Sequence, residues 1–455
     1  MREEGAALIG VAKLGQRYPP TRAFTLVDLF CGAGGFTEGF LLAGSPGCGF
    51  ELAAASDVSP MVRLTYEGRY REQLGLPFEF LMADVRDSSF IRKLTLSVKR
   101  RTGGQRVDVV CGGPPCQGFS VFGRRDESDP RNDLFRPYLR AIEVLQPRYF
   151  VMENVPGLVR MYGGSAVDRI RDAVERMRPV RYHLAGPISV NAADFGVPQL
   201  RDRVLFIGSR SDMPALTSLE RGESHEYVTV GEAIGDLAFL RPWESATEYR
   251  EDWQPTTSYQ KESRLGRLFA KYGLSPDGSL WNHEAAKHTP EVLARFGMLE
   301  KGRGLDSIPR PLWDRYLKTS KKWSVRLDDA KPSYTVVTLA DDLVHPTHPR
   351  VLTVRELARL QSFDDTFVFR GPRSTGGGGA GNRKRTVEVP QYSQVGNAVP
   401  PLLAQGIAAA VLECLVEVDN SPKPGRASTA PSSRRSSKGA ATRGIHQFVH
   451  RSGGS

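Results

Sequence analysis

The sequence predicts an α/β fold: a doubly wound, mainly parallel sheet domain accompanied by a second, smaller and irregular region. Three observations carry this prediction. Apolar runs of strand length alternate with helix-patterned stretches through the first part of the chain. The first of these runs passes directly into a glycine-rich loop that opens a helix. Between about residues 211 and 345 the alternation fades, Pro, Ser and charged residues rise, and all five tryptophans, Trp243, Trp253, Trp281, Trp313 and Trp323, fall there.

Size and charge bound the possibilities. A chain of 455 residues can bury a large core and form two domains. Its 40% hydrophobic and 25% charged content is that of a soluble globular protein. No apolar run is expected to reach membrane-spanning length, and the opening Met1-Arg2-Glu3-Glu4 leads a mixed segment without a signal-peptide core. Five cysteines at irregular spacing do not suggest a disulfide scaffold, which places the chain in a reducing, intracellular setting. A net charge of +11 points to a polyanionic partner, nucleic acid first. Part of that charge lies in the tail from Ser421, rich in Ser, Ala, Gly and Pro and free of acids, which reads as a disordered basic segment.

Taken in order, Phe24 to Phe30 is a buried strand running into Cys31-Gly32-Ala33-Gly34-Gly35, followed by helical spacing from Phe36. Glycines let the backbone approach a ligand, and the helix N-terminus offers free N–H groups to an anion. The Gly-x-Gly-Gly spacing departs from the dinucleotide fingerprint and suits a carboxylate-bearing ligand. A second strand, Glu51 to Ser56, ends in Asp57, and a third, Phe78 to Met82, ends before Asp84. Each acid is either a helix N-cap or, behind a glycine loop, a hold for a ribose hydroxyl or an adenine amino group.

A fourth strand from Val107 leads to Gly112-Gly113-Pro114-Pro115-Cys116-Gln117-Gly118. The prolines stiffen the corner and force extended backbone before it, so Cys116 sits on a loop at a strand's C-terminal end. A charged loop follows, around Arg124, and then a helix from Leu134 to Leu145. The fifth strand, Tyr149 to Val155, carries Glu153 near its end, an acid able to donate a hydrogen bond if burial keeps it protonated. Arg201 and Arg203 precede a strand at Val204 to Gly208 and face opposite sides; taken alone they read as a surface pair. The tryptophans are expected to pack the small region's core. His283 and His288 lack partners at metal spacing. Thr353 to Phe363 reads as an amphipathic helix capped by Thr353, Gly376 to Gly379 as a flexible insertion, and Leu402 to Val418 as a final apolar helix.

The ordered set of motifs resembles the DNA (cytosine-5-)-methyltransferase family, in its unpermuted order and at a size similar to prokaryotic restriction-modification enzymes. Asp28 to Phe36 resembles the family's S-adenosylmethionine loop and Gly113 to Ser120 its nucleophile loop. Met152 to Val155 resembles its glutamate motif and Gln199 to Arg203 its arginine motif, while Arg350 to Phe363 and Gly396 to Pro401 resemble its late motifs. Two departures stand out: Asp364 replaces the proline usual after Gln361-Ser362-Phe363, and Gly371 to Gln391 is long and glycine-rich.

The resemblance implies a doubly wound S-adenosylmethionine-dependent methyltransferase domain over 24–215, completed by 392–418. It also implies a target-recognition region over 216–391, including the 350–363 helix, between a leader, 1–23, and a basic tail, 419–455. It implies that Cys116 is the nucleophile, aided by Glu153, Arg203, Arg201 and Gln117. Phe30, Gly32, Gly34, Gly35, Asp57, Asp84, Pro115, Leu134, Asn397 and Val399 would line the S-adenosylmethionine pocket. The product is S-adenosylhomocysteine, with no metal. The implied partner is double-stranded DNA whose target cytosine is flipped out, with a cognate restriction endonuclease as a candidate and no membrane, for a cytoplasmic, nucleoid-associated monomer. Competing expectations are an RNA cytosine methyltransferase on the same scaffold and a catalytically inactive DNA-binding relative.

Overall fold

The computed structural model describes residues 20–115, 133–160, 164–220, 226–309, 311–312, 323–374 and 388–421. Its centre is a seven-stranded sheet formed by β1 (Arg22–Leu29), β2 (Cys48–Asp57), β3 (Glu79–Met82), β4 (Val109–Gly112), β5 (Tyr149–Asn154), β6 (Tyr182–Asn191) and β7 (Asp202–Arg210). The spatial order is β3-β2-β1-β4-β5-β7-β6. β1 to β5 run parallel, whereas β7 is antiparallel to both β5 and β6. The chain steps outward from β1 to β3, then returns to place β4 on the other side of β1. The reversal opens a crevice at the C-terminal ends of β1 and β4, the usual ligand position in such sheets.

The helices that matter here are α1 (Gly35–Leu42), α2 (Pro60–Glu67), α3 (Phe90–Thr102), α4 (Phe135–Leu145), α5 (Ser165–Glu175), α6 (Ser258–Leu265), α7 (Arg267–Tyr272), α8 (Val354–Leu360), α9 (Gln391–Asn397) and α10 (Pro401–Asn420). The apolar side chains of the sheet divide between two cores. Val27, Val110 and Phe150 pack with Phe90 and Leu94 of α3, Tyr138 and Ile142 of α4 and Ile170 of α5. Leu26, Cys111 and Val151 belong to the larger core, which takes in Phe36 and Phe40 of α1, Leu357 of α8 and Leu403 and Ile407 of α10.

α1 and α10 touch through glycines. A Cβ at Gly35 would lie 1.9 Å from the Val399 carbonyl oxygen, and one at Gly39 2.4 Å from Ala404 Cβ. Gly35→Ala therefore drives backbone against backbone. It is expected to cost about 3 kcal/mol of stability, at the upper end for overpacking, read as a lowered urea midpoint. A midpoint equal to that of the unsubstituted protein would refute this close approach.

The structure corrects several expectations. Strand β6 was not anticipated, because Gly186-Pro187 interrupts its register between Ala185 and Ile188 and most of it is half-buried at the sheet edge. The helix after Thr353 does have its capping box, Thr353 with Glu356, but it is not amphipathic: every residue of α8 is buried. Its charges are paired, Glu356 with Arg350 at 2.7 Å and Arg359 with Asp365 at 2.6 Å, as buried charges must be. Asp364, in place of the expected proline, accepts from the Arg267 backbone N–H at 2.9 Å and from Thr366 Oγ1 at 2.6 Å. It thereby starts α7.

The described tryptophans divide: Trp253 packs on Phe239 in one of the small region's cores, as expected, and Trp323 packs against the larger core. Trp243 and Trp281 are exposed, and the cores consist of Leu237, Phe239, Leu240 and Leu280 and of Phe296, Leu299, Ile308, Val344 and Val351. Trp313 lies outside the described residues. Contrary to the expectation of no such run, Gln391–Asn420 is long and apolar enough by composition to cross a membrane; 56% of its most apolar window is buried. Its apolar residues pack in the core with α1, which accounts for that composition.

Candidate active site

The glycine loop is shaped by its surroundings. Phe30, half-buried, takes φ 55° and turns the chain out of β1. Gly34 has φ 103°, and a Cβ there would lie 2.6 Å from the Tyr70 hydroxyl, which donates to the Gly34 carbonyl at 2.8 Å. Asp57, at the tip of β2, accepts from Gly32 N at 3.1 Å and from Ser59 N at 2.9 Å. Burial raises its pKa above the usual carboxylate value. The N-terminus of α1 and the carbonyl of Val399, buried between α9 and α10, complete this wall. Gly32, Gly34, Gly35, Asp57 and Val399 thus come together at the ends of β1 and β2, with exposed Asn397 ending α9 two residues before Val399.

Asp84 stands differently. Its carboxylate accepts from Arg86 Nε at 3.0 Å and Nη2 at 2.6 Å, and these bonds hold its pKa below the usual carboxylate range. An adenine amino group would have to compete with that guanidinium.

The second cluster stands at the ends of β4 and β5. Asn154 Nδ2 donates to the Pro114 carbonyl at 3.1 Å, tying the proline corner to β5. A Cβ at Gly113 would lie 3.1 Å from Glu153 Oε2. Glu153 Oε1 accepts from Arg203 Nε at 2.6 Å, both side chains being about nine-tenths buried. The antiparallel direction of β7 explains this meeting: it begins where parallel β5 ends, with Asn154 opposite Val204. Pro115 is half-buried there, and Leu134 is buried just before α4. Cys116, Gln117 and Arg124 lie outside the described residues; Pro115 is the last described residue before them.

Arg201 and Arg203 are not a surface pair: both are buried. Arg201 turns away from Glu153. Its Nη1 donates to Val336 O at 2.7 Å and its Nη2 to Gly396 O at 2.9 Å and Ala398 O at 3.3 Å. Gln361 Nε2 also donates to Ala398 O, at 2.6 Å. Arg201 thus fastens the segment that delivers Val399 to the glycine loop. Burial brings its pKa well below the ordinary guanidinium value, a cost met by these carbonyls.

Several contributors were not singled out from sequence. Asp28 is buried in β1, accepts from Thr37 Oγ1 at 2.7 Å, and has its pKa pushed up to about 7 by desolvation. Thr37 in turn sits 2.6 Å from the Tyr66 hydroxyl. An acid inside an otherwise apolar strand was the available signal. Tyr66, Tyr70 and Gln361 carried none, since their partners are distant in sequence. His283 is occupied by Thr353 Oγ1 and the Leu237 carbonyl. Among the described residues no group of three or more His, Cys, Asp or Glu side chains is gathered as for a metal.

Comparison with known proteins gives the family and the fold. The family model for C-5 cytosine-specific DNA methylase matches residues 24–413. The type II methyltransferase M1.HphI of Haemophilus parahaemolyticus is 35% identical over 394 residues, 86% of this chain and 87% of that protein. M.DdeI of Desulfomicrobium norvegicum is 34% identical over 397 residues, 84% and 87% of the two chains. A crystal structure of a putative prophage-encoded DNA modification methyltransferase from E. coli superposes with a TM-score of 0.63 at 25% identity, covering 86% of this chain and 99% of that one.

Proposed function

Because the chain belongs to the C-5 cytosine-specific DNA methylase family, we propose that it methylates carbon 5 of a flipped-out cytosine through a covalent adduct with Cys116. It is a DNA cytosine-5 methyltransferase of the type found in restriction-modification systems, and its family uses S-adenosylmethionine. The observation that carries the mechanistic reading is the Glu153–Arg203 pair, set beside the Pro114–Pro115 corner at the sheet edge that also holds the glycine loop.

Carbon 5 of cytosine is a weak nucleophile. Addition of the Cys116 thiolate to carbon 6 makes the ring an enamine, replacing one hard step by easier ones. Glu153 donates toward ring nitrogen 3 from Oε2, with a proton it takes up as the base enters, and offsets the negative charge that builds as sulfur adds. Arg203 fixes Glu153 through Oε1 and offers its remaining N–H groups to the exocyclic oxygen. The bound S-adenosylmethionine supplies an electrophilic methyl group. Once carbon 5 has taken it, loss of the carbon 5 proton and expulsion of the Cys116 thiolate restore the ring; these steps use no metal. Gln117, beside Cys116 in the sequence, and Arg124 would contact the extruded base.

For the methyl donor, the residues fit. The Gly32–Gly35 turn admits a backbone-close ligand at the start of α1, Phe30 stacks on adenine, and Asp57 reaches the ribose while bracing Gly32. Pro115, Leu134, Asn397 and Val399 line the remainder, and Arg201 acts by holding the Val399 segment. We assign Asp84 to the adenine edge, where it would exchange Arg86 for the amino group. Target recognition belongs to 216–391, and 24–215 with 392–418 forms the catalytic part. The protein would act as a cytoplasmic monomer on duplex DNA at the nucleoid, beside a cognate endonuclease.

A labelled-methyl assay offering duplex DNA and transfer RNA side by side tests the substrate. Transfer to DNA, with the label on cytosine carbon 5, is expected; transfer to RNA alone would overturn the assignment.

A further inference from the structure

Helix α1 ends in a buried place. Leu41, Leu42 and Ala43 are all buried, and the last carbonyls of a helix have no partner within it. Side chains some 230 residues away in sequence meet them, the Tyr272 hydroxyl reaching Leu41 O at 3.5 Å and Lys271 reaching all three. Lys271 Nζ, on α7, donates to Leu41 O at 2.7 Å, Leu42 O at 3.2 Å and Ala43 O at 2.6 Å. An ammonium has three N–H donors, and its charge complements the negative end of the helix. Burial brings its pKa down to about 8, the mark of a cation held where water is scarce.

The same helix is gripped a second time. Glu38, in the first turn of α1, pairs with buried Arg69 at 2.5 Å. Arg69 Nη1 donates to Thr366 Oγ1 at 2.9 Å, and Asp364 lies 3.8 Å from Nη2. Asp364 also accepts from Arg267 N at the start of α7. Lys271 and its anchoring acid therefore belong to one assembly, built from 216–391 and closed around α1. We propose that Lys271 is a positioning residue for the methyl donor: by sealing the C-terminus of α1 it fixes the Gly32–Gly35 turn at the other end of that helix. α1 is eight residues long, so a shift at its end is carried to the glycine turn with little loss. The proposal rests on the reading of Gly32–Gly35 as the S-adenosylmethionine loop.

The test uses the full chain with Lys271→Met, Lys271→Gln and Lys271→Arg, and Asp57→Ala as a reference in the pocket. S-adenosylmethionine binding is measured by calorimetry, and KM and kcat on duplex DNA by labelled-methyl transfer. Lys271→Met is expected to raise the dissociation constant and KM for S-adenosylmethionine about tenfold, the scale of losing hydrogen bonds from a charged group. In the same variant, kcat at saturating donor should stay within about twofold. Lys271→Arg should recover most of the affinity, and Lys271→Gln, an uncharged donor, should fall between. If Lys271→Met does not fold, the Gln-to-Arg comparison carries the same expectation. Unchanged donor binding in Lys271→Met and Lys271→Gln, with Asp57→Ala weakened, overturns the role of Lys271 and leaves the loop assignment standing. Unchanged binding in all of them overturns the loop assignment itself. Equal loss of affinity and kcat without recovery by Lys271→Arg also refutes positioning, because it is what general destabilisation produces.

Discussion

Replacing Cys116 by alanine is expected to lower methyl transfer by at least about four orders of magnitude, the scale seen when a nucleophile is removed, while S-adenosylmethionine binds as before. Without a thiolate the cytosine ring keeps its aromatic electrons and carbon 5 has nothing with which to attack. The donor pocket is unaffected, because its walls are Gly32–Gly35, Asp57 and Val399, held by Tyr70, Ser59 and Arg201 and independent of the thiol. The end of β4 also stays in place, since Asn154 holds the Pro114 carbonyl. Single-turnover transfer to duplex DNA, with calorimetry for the donor, gives both numbers. Turnover within tenfold of the unsubstituted enzyme would remove Cys116 from the mechanism.

The second large effect is expected at Glu153. Glu153→Gln keeps the size of the side chain and leaves an oxygen to accept from Arg203, but it cannot deliver a proton. A fall in kcat of about 10²- to 10⁴-fold is expected, the range for losing a general acid, with little change in KM for the donor. Stability should drop as well, because Arg203 then keeps a buried charge without a countercharge; breaking such a pair costs about 3–5 kcal/mol. An unchanged kcat would show that the pair is structural only. Glu153→Ala is the poorer experiment, since it also opens space beside Gly113 and leaves Arg203 Nε with no acceptor, the Asp202 carbonyl holding only Nη1.

How far the sequence discloses this site depends on the range of the interactions involved. The glycine loop was legible because its determinants are local: an apolar strand, glycines and a helix within twenty residues. The ends of β1, β2 and β4 were placed for the same reason, and with them Asp57 and the proline corner. The destination of Arg201 was not legible. Its partners are the carbonyls of Val336 and Gly396, 135 and 195 residues away, and no spacing rule reaches that far. The surface reading of the two arginines followed from the usual exposure of charged residues, which tertiary hydrogen bonds override here. α8 misled for a related reason: charges on a helix suggest a solvent face, yet Arg350, Asp236 and Asp365 turn those charges inward. Asp84 shows the opposite limit: a local partner, Arg86, holds its carboxylate, and a ligand's amino group would take that partner's place.

The contact between Gly35 and Val399 also has a consequence in time. The first loop of the donor pocket emerges early from the ribosome, but the backbone that closes on it belongs to the segment between α9 and α10. At synthesis rates of about 5–20 residues per second, roughly 20–70 s separate the two. Throughout that interval α1 has no α10 to cover the face that carries Gly35 and Gly39. Competence to bind the methyl donor is therefore gained in one late step, and topologies dominated by such distant contacts fold slowly.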